Sequence, residues 1–215
     1  LWNKDYVEKI EVRVLESIGV EVHADFYDGV GALRDVGQNH SLQMAALVMM
    51  GEPKNLSAEE VRRARALFLK SLITPNFEYI KHYTFRGQYK GYKEHEGVNP
   101  KSRTETYFKV IAKSSAPQWE GVPIIIEGGK KTEERKEIAI TFKHKTPCLC
   151  PPGKHYKNKI TFTIAPKEGI TIDFWSKRPG LEFDMQAQKL YFLYRDARKK
   201  VQYIEEYEKL LLDCI

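Results

Sequence analysis

The sequence predicts an α+β fold in which a large, mainly antiparallel sheet is flanked by helices. Three observations support this prediction. An alternating segment opens the chain, two segments of helical period follow it, and a run of short alternating segments begins at residue 104. Strands that follow one another without intervening helices cannot all be parallel, because a parallel connection needs a long crossover.

The first strand is predicted over residues 10 to 16. Ile10, Val12 and Val14 lie on one side of it and charged residues on the other, the period of two that is typical of a half-buried strand. This strand places Glu16 at its exit.

Two helices are predicted after this strand and a loop rich in glycine. Between Gly31 and Met50, apolar residues recur in steps of three and four, which predicts a buried helix of about five turns. Ser57-Ala58-Glu59-Glu60 is a capping box ahead of the second helix, which Pro75 ends.

Six further strands are predicted, separated by segments that contain Gly, Pro, Lys and Asn. They span residues 104 to 112, 122 to 126, 137 to 142, 159 to 164, 170 to 175 and 189 to 194. Helical spacing returns between Tyr203 and Cys214.

Composition excludes several classes of protein. The 215 residues are 42% hydrophobic with a formal net charge of +6, which excludes a disordered chain. No apolar run approaches the roughly 20 residues of a membrane-spanning helix. Three cysteines indicate no disulfide framework, so the cytoplasm is the expected location. Because Leu1 is preceded by neither an initiator methionine nor a signal peptide, we expect a fragment.

Two glycine pairs resemble nucleotide-binding loops but lack the required spacing. Gly29-Val30-Gly31 begins like a dinucleotide loop, yet Arg34 stands where the third glycine should fall. Gly128-Gly129-Lys130 resembles the end of a phosphate loop, yet Ile124 occupies the position of the first glycine. The sequence therefore offers no recognisable motif for the phosphates of NAD, NADP or ATP.

The densest polar group on the first predicted helix runs from Arg34 to His40. Helical spacing puts Asp35 and Asn39 on one stripe, and Val36 and His40 on the next. A carboxylate can orient a hydroxyl while a neighbouring imidazole removes its proton, since histidine titrates near neutral pH. The alternative is that His40 is buried and hydrogen-bonded to the backbone, and that Asp35 only stabilises the helix by interacting with the positive end of its dipole.

A second polar group follows an apolar strand at Gly129-Lys130. Arg135 and Lys136 lie five and six residues beyond Lys130. Cations at a strand end suit an anionic or polyhydroxylated ligand. The alternative is a solvated basic hairpin.

Two further groups contain residue types that can bind a metal or nucleic acid. The first contains His144, Cys148, Cys150 and His155. Its Cys-x-Cys spacing is tighter than that of usual zinc ligands, so we predict a surface loop and no metal. The second runs from Tyr79 to Lys93, where aromatic residues alternate with cations. Such residues can stack bases and hold phosphates, or the aromatic rings can pack against a sheet.

Several stretches together resemble the C-terminal, substrate-binding and dimerisation domain of glucose-6-phosphate dehydrogenase. They follow the order of that family and span nearly the whole chain. The stretches are Leu1-Trp2-Asn3-Lys4-Asp5, Phe26-Tyr27-Asp28, Gly31-Ala32-Leu33-Arg34-Asp35, Gln38-Asn39-His40, Arg86-Gly87-Gln88-Tyr89, Ser102-Arg103-Thr104-Glu105-Thr106, Trp119-Glu120-Gly121-Val122-Pro123, Gly129-Lys130, Lys177-Arg178-Pro179-Gly180 and Glu206-Tyr207-Glu208-Lys209.

The resemblance implies a role for five residues. His40 falls on the catalytic base, which takes the proton of the sugar's C1 hydroxyl as hydride leaves C1 for NADP. Asp35 and Glu16 fall on carboxylates that bind sugar hydroxyls, and Lys130 falls on a substrate-binding lysine. Arg135 falls where a cation commonly lies near the sugar phosphate.

The same resemblance sets expectations for the whole chain. Residues 1–215 are expected to form the C-terminal domain, without the nucleotide-binding domain that holds NADP and without the family's final segment. We therefore expect no cofactor-binding residue here and no turnover by this chain alone. Glucose 6-phosphate is the expected substrate, and the sheet is expected to pair two copies as a homodimer, with no nucleic acid or membrane partner. A non-catalytic scaffold that keeps the sheet is the alternative.

Overall fold

The computed structural model describes residues 1–21, 23–144, 150, 156–181 and 184–194. In this part of the chain, eight strands form one sheet in the order β2-β3-β4-β1-β5-β6-β7-β8. The strands are β1 Val7–Leu15, β2 Thr84–Gly87, β3 Tyr107–Ala112, β4 Ile124–Gly129, β5 Arg135–Phe142, β6 Lys159–Ala165, β7 Gly169–Lys177 and β8 Met185–Leu193. The β1–β4 pair is parallel and the other pairs are antiparallel. The predicted α+β fold with a large, mainly antiparallel sheet is confirmed.

The described helices lie in the long connection between β1 and β4. They are α1 Ala24–Val30, a π-helix Leu33–Ser41, α2 Leu42–Met49, α3 Ala58–Lys70, α4 Phe77–Tyr83 and a short 3₁₀ helix Tyr92–Glu94. Such a connection is what allows β1 and β4 to run parallel. None of these helices combines the length and the apolar character that crossing a bilayer requires.

The structure corrects the predicted elements in three places. The segment before Gly31 is not a loop, because α1 lies there. Neither α4 nor β2 was predicted, although Asn76 caps α4 by accepting a hydrogen bond from the Tyr79 N–H at 2.8 Å. The predicted strands are present with bounds shifted by a few residues, and the predicted helix at Tyr203–Cys214 lies outside the described residues.

The predicted helix from Gly31 to Met50 divides into two kinds of helix. Its first half is the π-helix, and at the end of this helix the Leu42 N–H bonds to the Gly37 carbonyl five residues back. The second half, α2, returns to ordinary α-helical bonding. π-Helices are rare, occur mostly as single turns and are frequent at functional sites. The spacing predicted a helix here correctly but predicted the wrong residues to share a face.

The π-helix packs on β1 and β4 through a contact without room for extra atoms. The Phe108 ring, 1% exposed, lies between Gly37 of the π-helix and Gly128 of β4. A Cβ on Gly37 would lie 2.7 Å from Phe108 Cζ, and a Cβ on Gly128 would lie 2.6 Å from Phe108 Cε1. Two glycines therefore set how closely the helix approaches the sheet.

The Trp119 side chain attaches the end of α2 to the sheet. This indole is fully buried, just before β4, and donates a hydrogen bond from Nε1 to the Met49 carbonyl at 2.7 Å. The carbonyl is one of those that the last turn of a helix leaves unpaired. The long helical segment is thereby held against the sheet at Gly37 and at Met49.

We expect Gly37→Ala to destabilise the fold by roughly 1–3 kcal/mol, because the new methyl group must displace the buried Phe108 ring. Gly29→Ala is the matched control. Gly29 lies in α1, and a Cβ there meets nothing within 4 Å. Alanine should stabilise that helix by up to about 1 kcal/mol. Urea unfolding followed by circular dichroism measures both changes, and equal changes in the two variants would contradict the tight contact.

Candidate functional site

Two acidic side chains and two lysines meet at one end of the central strands. The Glu16 carboxylate bridges the lysines, with Oε2 at 2.7 Å from Lys130 Nζ and Oε1 at 3.2 Å from Lys136 Nζ. Lys130 Nζ also lies 3.8 Å from Asp35 Oδ2. The structure thus brings Glu16, Asp35 and Lys130 together, as the sequence analysis expected, and adds Lys136.

The ends of β1 and β4 hold this cluster in place. Glu16 follows β1 directly and its N–H donates to the Gly129 carbonyl at 2.9 Å, which fixes it beside the residue before Lys130. After Lys130 the chain turns through Lys131, whose φ of +56° lies in the left-handed region. The Thr132 N–H then returns to the Glu16 carbonyl at 3.0 Å. The parallel β1–β4 pair therefore brings Glu16 and Lys130 together although they are distant in sequence.

A cavity of about 430 Å³ opens beside the cluster, within the usual range of roughly 300–1,000 Å³ for small-molecule sites. Asp35, Lys130 and Tyr27 line it, together with Ile18, Gly19, Val20, Glu21, His23 and Phe26. Lys130 Nζ lies 5.6 Å from the centre of the Tyr27 ring. The Tyr27 hydroxyl is buried and has no hydrogen-bond partner among the described residues. The cavity therefore offers the charged groups of Asp35 and Lys130 to a polar ligand.

Electrostatics fixes the charge states of Glu16 and Tyr27. Burial opposes ionisation of Glu16, but the hydrogen bonds and charges of Lys130 and Lys136 outweigh it and hold the pKa of this carboxyl below its ordinary value. Burial, together with the nearby carboxylate of Asp35, raises the pKa of the Tyr27 phenol well above its ordinary value. At neutral pH the site therefore holds an ionised Glu16 and a neutral Tyr27.

His40 lies exposed on the last turn of the π-helix, five residues after Asp35. One π-helical hydrogen bond spans five residues, so residues five apart lie closer together around this helix than around an α-helix. In an α-helix they would lie about 140° apart around the axis. Val36 is buried while His40 is exposed, which contradicts their predicted common stripe. The exposure of His40 also excludes the alternative of a buried, structural histidine.

Arg135 does not join the cluster. Its guanidinium pairs with Glu133, with Nη2 at 2.9 Å from Oε2. In the β1–β5 register Arg135 lies opposite Leu15 and Lys136 opposite Val14, so alternation sends Lys136 to the face that carries the cluster and Arg135 to the other face. The sequence could have indicated Lys136, because Lys136 lies two and four residues before the buried Ile138 and Ile140 and so lies on the same face of the strand.

The remaining candidate groups are placed as follows. Four of the candidate residues have side chains of the kinds that bind zinc. Of these, His144 Nε2 and Cys150 Sγ lie 3.4 Å apart, whereas Cys148 and His155 lie outside the described residues. Within the described ranges no three His, Cys, Asp or Glu side chains form a group that could hold a metal. In the Tyr79–Lys93 segment the aromatic rings contact one another or the sheet: Tyr79 stacks on Tyr83 at 4.2 Å, Tyr92 is buried and Phe85 lies 5.9 Å from Tyr107.

We expect Lys130→Met to raise the pKa of Glu16, because burial favours the neutral carboxyl and one of the two lysines that stabilise the charged form is then missing. A carboxyl whose pKa is depressed in the folded state stabilises the fold at pH above its unfolded pKa, and this stability is lost as pH falls through the folded pKa. The unfolding free energy lost in Lys130→Met should be about 1–3 kcal/mol at pH 7, and the loss should shrink in acid. Urea unfolding at a series of pH values measures it.

Arg135→Met is the control for this measurement. It removes the same charge one residue from Lys136, but its partner is the exposed Glu133. The pKa of Glu16, followed by carboxyl carbon NMR, should stay unchanged in this variant. A shift as large as that in Lys130→Met would show that general charge, and not the bridging geometry, sets the pKa.

Comparisons with known proteins find similar sequences and a similar structure. A family model described as "Glucose-6-phosphate dehydrogenase, C-terminal domain" matches residues 1–215. Glucose-6-phosphate 1-dehydrogenase from Borreliella burgdorferi is 35% identical over 226 residues, which cover all of this chain and 47% of that protein. The enzyme of the same name from Aggregatibacter actinomycetemcomitans is 37% identical, covering all of this chain and 45% of that protein.

A solved structure described as glucose-6-phosphate dehydrogenase in complex with its substrate glucose-6-phosphate is also similar. It superimposes with a TM-score of 0.88 at 29% identity and covers 99% of this chain and 45% of that one. The chain therefore spans a little under half the length of these relatives. The match of the family model over all 215 residues shows that the chain belongs to the glucose-6-phosphate dehydrogenase family, as its C-terminal domain.

Proposed function

We propose that this chain is the substrate-binding part of a glucose-6-phosphate dehydrogenase, which oxidises glucose 6-phosphate to 6-phosphogluconolactone with hydride transfer to NADP. The observation that carries the proposal is the convergence of Glu16, Asp35 and Lys130 beside a cavity that Asp35 and Lys130 line, with His40 on the same π-helix as Asp35. Family membership supports it, because the relatives named above bear this enzyme's name.

The charges of the cluster suit a phosphorylated sugar. Lys130 and Lys136 can donate to phosphate oxygens, and the carboxylates of Glu16 and Asp35 can accept from sugar hydroxyls. Both lysines are paired with Glu16 in this structure, so an arriving phosphate competes with that carboxylate for them. Arg135, in our proposal, adds positive charge at the rim and acts on the phosphate at longer range than Lys136.

His40 is proposed as the base. The proton of the C1 hydroxyl passes to a ring nitrogen of His40 as the C–H bond at C1 gives up its hydride, and the oxygen becomes the lactone carbonyl. An exposed imidazole can accept this proton and pass it on to water. Asp35, five residues earlier on the same helix, holds a neighbouring hydroxyl and thereby orients the sugar toward His40.

The motif-like glycines Gly29, Gly128 and Gly129 do not fit the pyrophosphate of NADP. Gly128 and Gly129 lie within strand β4, and Gly29 lies inside α1, so none of them forms the loop between a strand and a helix start that the pyrophosphate requires. We propose that the groups that bind NADP lie outside this chain. The expected lack of turnover by the chain alone follows from that proposal.

Glucose 6-phosphate should bind this chain with a dissociation constant in the millimolar range. Lys130→Ala should weaken binding at least about tenfold, since it removes a charge-assisted contact with the ligand. His40→Asn should leave binding nearly unchanged, because its proposed role is to accept a proton. In a protein completed by a nucleotide-binding half, His40→Asn should lower kcat by about 10²–10⁴ with little change in KM.

Calorimetric titration and NADPH absorbance measure these two quantities. Lys54→Ala, at an exposed lysine away from the cavity, is the matched control for the binding series. Gln38→Ala, at an exposed position of the same π-helix, is the control for catalysis. Equal affinities in Lys130→Ala and Lys54→Ala, or full activity in His40→Asn, would overturn the proposed site.

We also propose that two copies of the chain pair through the sheet. On the face of the sheet opposite the π-helix, Tyr191 and Leu193 of β8 are 65% and 51% exposed. Toward the centre of the same face, Arg13 pairs with the three carboxylates of Glu11, Glu127 and Glu137, and all four side chains are less than 20% exposed. An exposed apolar strip beside a fixed polar network is the composition expected of a protein interface.

Tyr191→Asp combined with Leu193→Asp should convert the dimer to a monomer, because it buries two charges without partners in the interface. Leu56→Asp is the control, since Leu56 is 90% exposed in the loop before α3. Sedimentation equilibrium measures the mass of each variant. A wild-type chain that stays monomeric at micromolar concentration, or a double variant that remains dimeric, would contradict pairing through this face.

A further inference from the structure

A second basic region lies on the edge of the sheet that carries β2, apart from the cluster around Glu16. Two adjoining grooves of about 350 and 270 Å³ share Arg86, Arg103 and Glu105 as lining residues. Arg34 lines the first groove and Lys93 the second. None of these residues lines the cavity beside Lys130.

The four cations of these grooves are not neutralised. In the described part of the chain, Arg34, Arg86, Arg103 and Lys93 form no ion pair, although other arginines of the chain do. The one acid in the grooves, Glu105, is already engaged, since its carboxylate accepts a hydrogen bond from the Leu33 N–H at 3.0 Å. Four cations against one carboxylate leave a net charge of +3 along the grooves.

The backbone beneath these cations is fixed before any ligand arrives. Gln88 donates from Nε2 to the carbonyls of Ser102 and Thr104 at 3.1 and 2.8 Å, and so holds the chain on both sides of Arg103. Tyr92, next to Lys93, is buried and donates to Asp28 at 2.8 Å. A site whose backbone is already ordered loses less entropy on binding.

We propose that the two grooves together bind a linear polyphosphate group. The cations are spread along a track, with Arg34 at one end and Lys93 at the other, so a chain of linked phosphates can meet more of them than a single phosphate can. Arginine supplies a planar fork that fits phosphate oxygens in a bidentate manner, and three of the four cations are arginines. Inorganic tripolyphosphate and nucleoside triphosphates share this chemistry.

The test is calorimetric titration of the 215-residue chain with sodium tripolyphosphate. We expect saturable binding at least about tenfold tighter than that of orthophosphate. Arg86→Ala combined with Arg103→Ala should weaken it by about tenfold for each lost guanidinium. Arg62→Ala combined with Lys70→Ala removes the same charge from exposed positions of α3 and should change nothing. Arg86→Lys combined with Arg103→Lys keeps the positive charges but removes the planar guanidinium groups, and should give an intermediate affinity.

Two further titrations separate this site from the proposed sugar-phosphate site and identify the source of the phosphates. Lys130→Ala should retain full tripolyphosphate binding. ATP that binds as tightly as tripolyphosphate indicates recognition of the phosphates alone, and tighter binding of ATP indicates that the nucleoside also contacts the groove; both results support the site. Equal tripolyphosphate affinities in the double alanine variant and the α3 control, no saturable binding, or loss of binding in Lys130→Ala would overturn it.

Discussion

The packing of one phenylalanine ring between two glycines decides how the side chains of the candidate site lie relative to one another. Phe108 occupies the space between Gly37 and Gly128, and a Cβ on either glycine would overlap the ring. The π-helix therefore approaches β4 at the distance of a bare backbone. Because Asp35 belongs to this helix and Lys130 follows this strand, the 3.8 Å between their charged atoms depends on that approach. Interiors this dense transmit small changes in volume, so the site and the core are not independent.

Charge is balanced differently in the two basic regions of the molecule. Around Glu16, two lysines face two carboxylates, and the ion pairs hold the side chains in place in the absence of a ligand. A ligand there exchanges existing partners. In the grooves near β2, the cations form no ion pair with any described carboxylate, and one acid is engaged by the backbone. A ligand there supplies charge that the protein does not. This difference suits a sugar monophosphate in the first region and a more strongly charged anion in the second.

The sequence predicted the fold class and most strands because those features depend on local patterns. Alternation of apolar and charged residues marks a strand facing a core, as with Ile10, Val12 and Val14, whatever its neighbours are. The missed elements are short. α1 contains a glycine and depends on distant contacts, since Asp28 within it accepts hydrogen bonds from Tyr92 and from the Asn99 N–H. β2 has four residues, too few for a pattern.

The sequence by itself predicted, through the resemblance carried by Asp35, His40 and Lys130, that two acids, a lysine and a histidine share one site. Only the tertiary structure decided which cation joins Glu16. Arg135 and Lys136 are adjacent and carry the same charge, and the register of β5 against β1 sends them to opposite faces of the sheet. Likewise, only the structure shows the π-helical bonding that brings Asp35 and His40 closer together around their helix than an α-helix would, because the hydrogen-bond pattern of a helix depends on how it packs and not on its apolar period alone.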